Sequence, residues 1–239
     1  MRLIILTALG VGGATVLGAV AGFLFKARSE VADRRLLAFA GGVMLEASTL
    51  GLLPSAMEAG GLMNAVTVVL GLLLGAAAIA LLDQPVRALC KRWEADKGSE
   101  LSRVALFVLA IAIHNIPEGL AAGVGFGIGE GGRGFMIAAA IAMQNIPEGM
   151  VIIAPMLSVG ISPGRAFFYA AMTGVVEIIG TLVGYLATSV GAALPFLLSM
   201  ASGTMLSVVI REMIPDSRGS LGSALLGFCV MIIIEGLVG

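Results

Sequence analysis

The chain has 239 residues, of which 59% are hydrophobic and only 12% charged, with 14 Lys and Arg against 15 Asp and Glu for a formal net charge of -1. Soluble domains carry roughly a quarter charged residues, so this composition excludes a water-soluble surface. The mean hydropathy of +1.06 is a property of the whole chain, which excludes a soluble domain on a single anchor.

The hydrocarbon core of a bilayer takes roughly 20 apolar residues to cross as a helix. The first apolar run, Leu3 to Phe25, is too long for a secretory signal, and no polar mature domain follows it. Runs of this kind recur at about 4–25, 35–57, 62–82, 103–127, 134–157, 165–188, 194–213 and 219–238. They predict an all-α integral membrane protein of eight transmembrane helices in one transporter domain, 1–239, with a single long polar loop at about 83–102. Helix is the assignment because a lipid-exposed backbone must satisfy its own hydrogen bonds, and barrel strands would read as short alternating segments. The 34 glycines suit helices that approach closely in lipid. Cys90 and Cys229 lie far apart without CxxC spacing, which removes a disulfide framework and a thiolate zinc site.

Loops on the cytoplasmic side collect Lys and Arg. Loops one, three, five and seven hold Lys26, Arg28, Arg34, Arg35, Arg87, Lys91, Arg92, Lys97, Arg103, Arg165, Arg211 and Arg218, against Arg2 and Arg133 on the other side. Twelve against two predicts that both termini are extracytoplasmic and that the 83–102 loop is cytoplasmic.

Repeats organise these spans. The fourth and fifth carry His-Asn-Ile-Pro-Glu-Gly-Leu-Ala at 114–121 and Gln-Asn-Ile-Pro-Glu-Gly-Met-Val at 144–151. The second and seventh share Ala40-x-Gly42-x-Met44-Leu45 with Pro54 and Ala201-x-Gly203-x-Met205-Leu206 with Pro215, an offset of 161. The first and sixth share Gly18-xxx-Gly22-Phe-Leu and Gly180-xxx-Gly184-Tyr-Leu, an offset of 162. Spans five apart cross in opposite directions, so these matches predict a 3+2+3 inverted repeat. In such transporters the substrate site lies near the midplane, often on helices broken by Pro or Gly. Pro117 and Pro147 are the expected breaks, and each would displace the carbonyl one turn earlier, at Ile113 and Met143.

Acidic side chains placed at the bilayer centre are costly and mark function. Here they are Glu46, Glu118, Glu148 and Glu177. His114 stands four residues before Glu118, which stacks imidazole and carboxylate on one helix face, and Gln144 with Glu148 repeats the arrangement. Carboxylates without Lys or Arg in the same spans would repel one another, and a bound dication removes that problem. The mixed nitrogen and oxygen set suits zinc, cadmium, iron(II) or manganese and is poor in the thiolates that copper(I) prefers. The structural alternative for His114 and Glu118 is a hydrogen-bonded pair that ties helices together. The counterpart of Glu46 is Ser207, which leaves pathway and packing roles equally open for it. Met44 and Met205 offer sulfur along a path, although methionine in a packed helix is usually filler.

At these residues the chain resembles the ZIP (ZRT/IRT-like) family of divalent metal transporters, whose fourth and fifth helices carry HNxPEG-type motifs. Gln144, where many members have histidine, looks like the GufA-like branch. The resemblance covers essentially all eight spans, including Glu212-Met-Ile-Pro215 at the end of the seventh. It implies one metal site from His114, Glu118, Gln144 and Glu148. It implies an adjacent second site from Asn115, Asn145 and Glu177 with shared Glu118 and Glu148. With a neutral amide at Asn145 the second site is expected to be the weaker. Glu46, Met44 and Glu212 are candidates for the pathway. The polar loop lacks the histidine run of many members and reads Arg92-Trp-Glu-Ala-Asp-Lys-Gly-Ser-Glu100.

The expected function is therefore transport of zinc or a similar dication into the cytoplasm. A single histidine and no HExxH speak against an intramembrane hydrolase. Several anionic ligands suit a carrier better than a channel that must release ions quickly. No catalytic cofactor is expected, and the metal is cargo. Expected partners are divalent metal ions and the bilayer, with no nucleic acid, and a homodimer is an admissible assembly. Small size and no targeting segment favour a bacterial inner membrane.

Overall fold

The structure, a computed structural model, describes residues 2–24, 29–95, 100–127, 132–158, 160–189, 193–216 and 219–238. Regular structure among them is helical: α1 (Arg2–Leu24), α2 (Glu30–Met57), α3 (Gly61–Ala95), α4 (Glu100–Phe126), α5 (Gly132–Ser158), α6 (Pro163–Ala187), α7 (194–216) and α8 (Leu221–Val238). Among the described residues, six stretches are long and apolar enough to cross a membrane: Arg2–Leu24, Glu30–Met57, Gly61–Leu81, Gly134–Ile153, Pro163–Ala187 and Leu194–Arg211. Leu221–Leu237 is equally apolar but shorter. Most side chains in the first half of α4 lie outside the described residues. The outer surface is apolar, with Leu62, Met63 and Leu237 each about four-fifths exposed (82%, 79% and 80%). Apolar exposure of this extent belongs in lipid rather than water.

The polar stretch after Leu82 differs from expectation. α3 does not end near residue 82 but continues to Ala95, so the segment read as a loop from residue 83 begins as helix. The change of composition there marks where apolar side chains stop, and Arg, Ala, Leu, Lys and Glu propagate a helix on their own. The connection at 96–99, with Lys97, lies outside the described residues, as do Lys26, Arg28 and Arg218.

The prolines also behave unevenly. α4 and α5 run without interruption through Pro117 and Pro147, where breaks were expected. The departures from α geometry are in α2 and α7, as π-helical turns at Ala47–Leu52 and Val209–Met213, each just before its proline, Pro54 or Pro215. A proline lacks the N–H that would bond four residues back, and a wider turn relieves the clash of its ring. Hydroxyls line this part of α2: Ser48 and Thr49 donate to Leu45 O at 3.0 and 2.6 Å, and Ser55 to Gly51 O at 3.3 Å. Ser202 of α7 donates across to Ser48 O at 2.8 Å. Ser202→Ala leaves that buried carbonyl without its donor and is expected to cost about 1 kcal/mol, read as a lower Tm of the purified protein.

The most extensive helix contacts are α4 with α6, α1 with α5, α3 with α7, α2 with α7, α1 with α6 and α2 with α8, followed by α2 with α5, α4 with α5 and α4 with α7. Exchanging α1 with α6, α2 with α7, α3 with α8 and α4 with α5 maps this set onto itself. Glycines set the closest approaches, and they recur in register. A Cβ at Gly119 would meet Glu177 O and one at Gly149 would meet Thr15 O; one at Gly184 would meet Leu120 O and one at Gly22 would meet Met150 O. Backbones this close require glycine and bring the polar side chains one turn away into direct contact.

Candidate metal site in the helix bundle

Contact of α4 with α6 and of α5 with α1 turns the paired motif inward. Asn115, Glu118, Gln144, Asn145 and Glu177 are all buried, each at most 1% exposed, and Glu148 is half-buried. His114 stands one turn before Glu118 on α4, and its side chain lies outside the described residues.

Two linked groups result. In the first, Gln144 Nε2 donates to Glu118 Oε1 at 2.7 Å and ties α5 to α4. In the second, the Glu177 carboxylate of α6 accepts from three helices. Thr15 Oγ1 of α1 donates to Oε1 at 2.7 Å and Oε2 at 2.9 Å, Asn145 Nδ2 of α5 donates to Oε2 at 2.7 Å, and Asn115 Nδ2 of α4 donates to Oε1. Asn145 Nδ2 also donates to Val11 O at 3.2 Å, and Thr181 Oγ1 donates to Glu177 O at 2.8 Å. Glu148 lies close enough to repel both Glu118 and Glu177.

What remains unsatisfied in this cluster is of one kind. Among the described residues, Glu118 Oε2, Gln144 Oε1, Asn115 Oδ1 and Asn145 Oδ1 are buried with no hydrogen-bond donor. All four are acceptors, so among the described residues the cluster is short of donors. Buried polar atoms are normally partnered, and leaving one without a partner costs about 1–3 kcal/mol. Among the described residues, no three His, Cys, Asp or Glu side chains form a group able to hold a metal. Carboxamide oxygens provide most of the open acceptors.

The other sequence candidates fall elsewhere. Met44 and Met205 both lie in the apolar core, fully buried. Glu46 is buried on α2, with Glu235 of α8 within hydrogen-bonding reach. Glu212 lies in the π turn of α7, and its side chain is outside the described residues. Sequence reasoning missed Thr15 and Glu235. Thr15 was findable, since it stands 162 residues before Glu177, the offset of the first and sixth spans.

Long apolar helices closed around buried carboxylates and carboxamides define an all-α, multi-pass membrane protein of the transporter class. The ZIP Zinc transporter family profile matches residues 90–235. Zinc transporter GufA of Myxococcus xanthus is 38% identical over 156 residues, covering 62% of this chain and 61% of that protein. Zinc transporter ZIP11 of Xenopus tropicalis is 44% identical over 153 residues, 58% of this chain and 45% of that protein. Zinc transporter ZIPB of Bordetella bronchiseptica is 34% identical over an alignment of 253 residues, 95% of this chain and 78% of that protein. The chain belongs to the ZIP family, in its GufA-like branch. It spans 61% of the length of the GufA relative and 45% of that of the ZIP11 relative.

Proposed function

We propose that the protein transports zinc, with cadmium, iron(II) and manganese as chemically related cargo, across the bilayer into the cytoplasm through a site between α4 and α5. The observation that carries this reading is the pair of buried acceptor oxygens without donors, Glu118 Oε2 and Gln144 Oε1, beside repelling carboxylates. A dication answers both features at once, and a hydrogen-bonded structural cluster answers neither. The donor set is Glu118, Gln144 and Glu148, joined by His114 through its four-residue spacing from Glu118. Mixed nitrogen and oxygen ligands fit these metals. The relatives named above, each a zinc transporter, point the same way. No catalytic step belongs to this reading.

The architecture we infer is eight spans in a 3+2+3 inverted repeat with both termini extracytoplasmic and the membrane a plasma membrane such as a bacterial inner membrane. Its support is the internal symmetry of the helix contacts together with the distribution of Lys and Arg.

Uptake of zinc into proteoliposomes tests the function. Glu148→Ala is expected to lower the initial rate at limiting zinc by at least about tenfold, because truncating one buried charge partner costs about 2 kcal/mol or more. Equal, protein-dependent rates for both proteins would remove Glu148 from the site, and no uptake by the wild type would remove the transport reading.

A further inference from the structure

Glu177 is the acceptor at the centre of the bundle, and donors from three other helices already occupy it. Thr15 shares its hydroxyl hydrogen between both carboxylate oxygens, and Asn115 and Asn145 each give an amide N–H to one of them. A carboxylate offers about four lone-pair sites, and these contacts use them. The amides cannot turn their oxygens toward Glu177 while their nitrogens face it. Those oxygens are the ones left as buried acceptors without donors.

The contact forms where the two halves of the duplication meet. Thr15 and Glu177 are equivalent positions 162 residues apart, and Asn115 and Asn145 are equivalent positions within the paired motif. Gly12 and Gly174, also equivalent, abut in the same place, each blocking a Cβ on the other. One half brings an acid and the other a hydroxyl. Two carboxylates at these positions would demand a cation between them, whereas a carboxylate facing a hydroxyl and two amides does not.

Glu118 and Glu148 carry the two negative charges that balance one dication, and the three donors supply partial positive charge to Glu177.

We propose that Glu177 is a positioning residue and not a metal ligand: with Thr15, Asn115 and Asn145 it forms a four-helix latch that occupies the place of a second metal, so that the protein holds a single dication at Glu118, Gln144 and Glu148. The latch orients both asparagine amides and ties α1 and α6 to the motif helices. This rests on the transport site proposed above.

The test is a count of bound metal. Purified wild-type protein is dialysed against zinc, and the bound zinc is measured by mass spectrometry against protein concentration. One zinc per chain is expected. Glu177→Gln, whose amide oxygen still accepts from Thr15 or an asparagine, is expected to keep that one zinc, and Glu118→Ala to lose it. Asn145→Asp, which replaces a donor on Glu177 by a second carboxylate, is expected to raise the count to two. Two zincs on the wild type, or loss of the zinc in Glu177→Gln, would overturn the latch and leave the transport site standing. A single zinc that survives Glu118→Ala, or no zinc on the wild type, would overturn the transport site and the latch with it.

Discussion

Glu118→Gln is expected to weaken zinc binding about 100-fold while raising the Tm of the metal-free protein. The two effects have opposite signs because the same carboxylate is a ligand in one state and a source of repulsion in the other. Without metal, Glu118 is fully buried and faces the like charges of Glu148 and Glu177. Glutamine removes that repulsion and keeps an oxygen to accept from Gln144 Nε2. With metal, one of the two charges that balance the dication is gone. Truncation of a buried charge partner costs about 2–5 kcal/mol, and about 1.4 kcal/mol is a factor of ten. Thermal unfolding with and without zinc reads both effects. At a zinc concentration 100 times the wild-type Kd the wild type gains about 2.7 kcal/mol, while a variant bound 100-fold more weakly gains only about 0.4 kcal/mol. A variant with the full zinc-dependent shift would remove Glu118 from the ligand set. A variant whose metal-free Tm falls would mean that its carboxylate holds the helices together instead of straining them.

Much of this site was legible because it is local. The spacing of His114 to Glu118 and of Gln144 to Glu148 needs only a helix, and the paired motif announces itself by repetition. Glu177 was legible as a charge in an apolar run. Its partner was not, since a threonine in an apolar helix is ordinary, and what makes Thr15 matter is a contact between α1 and α6 that only the repeat offset hints at. Glu46 stayed open between pathway and packing for the same reason, because Glu235 lies near the end of α8 and reaches it only through the packing of two helices.

Proline was the less readable signal. Pro117 and Pro147 were expected to break their helices, yet the widened turns precede Pro54 and Pro215. The missing N–H is common to all four, and what differs is the surroundings. Around the turn before Pro54, Ser48 and Thr49 donate to Leu45 O, Ser55 to Gly51 O, and Ser202 to Ser48 O from the neighbouring helix. Polar neighbours let a π turn persist in a bundle where an unpaired carbonyl would otherwise be costly. The end of α3 shows a related limit: a composition boundary at residue 82 locates where lipid-compatible side chains stop, and the backbone hydrogen bonds continue to Ala95 regardless.

Gly149→Ala is expected to be among the most disruptive single-methyl changes in the protein, and Gly119→Ala to match it. The positions are equivalent within the paired motif, and each faces the backbone of a partner helix: Gly149 the Thr15 carbonyl, Gly119 the Glu177 carbonyl. A Cβ at either position overlaps main-chain atoms, which cannot rotate away as a side chain would, so α5 must move from α1, or α4 from α6. Overpacking of this kind costs about 1–3 kcal/mol. The functional cost is larger than the stability cost, since the displaced residues hold Thr15 and Glu177 against Asn115 and Asn145 and so set the geometry beside Glu118. Gly10→Ala is the control, because a Cβ there meets nothing within 4 Å, and its effect should stay within about 0.5 kcal/mol. Tm and zinc uptake of the three variants, measured in parallel, decide the matter. If the two motif variants unfold and transport like Gly10→Ala, then α4 and α5 do not touch their partners at backbone distance, and the close approach that assembles both polar groups is absent. If Gly149→Ala alone is damaged, the two halves of the duplication do not share one packing register.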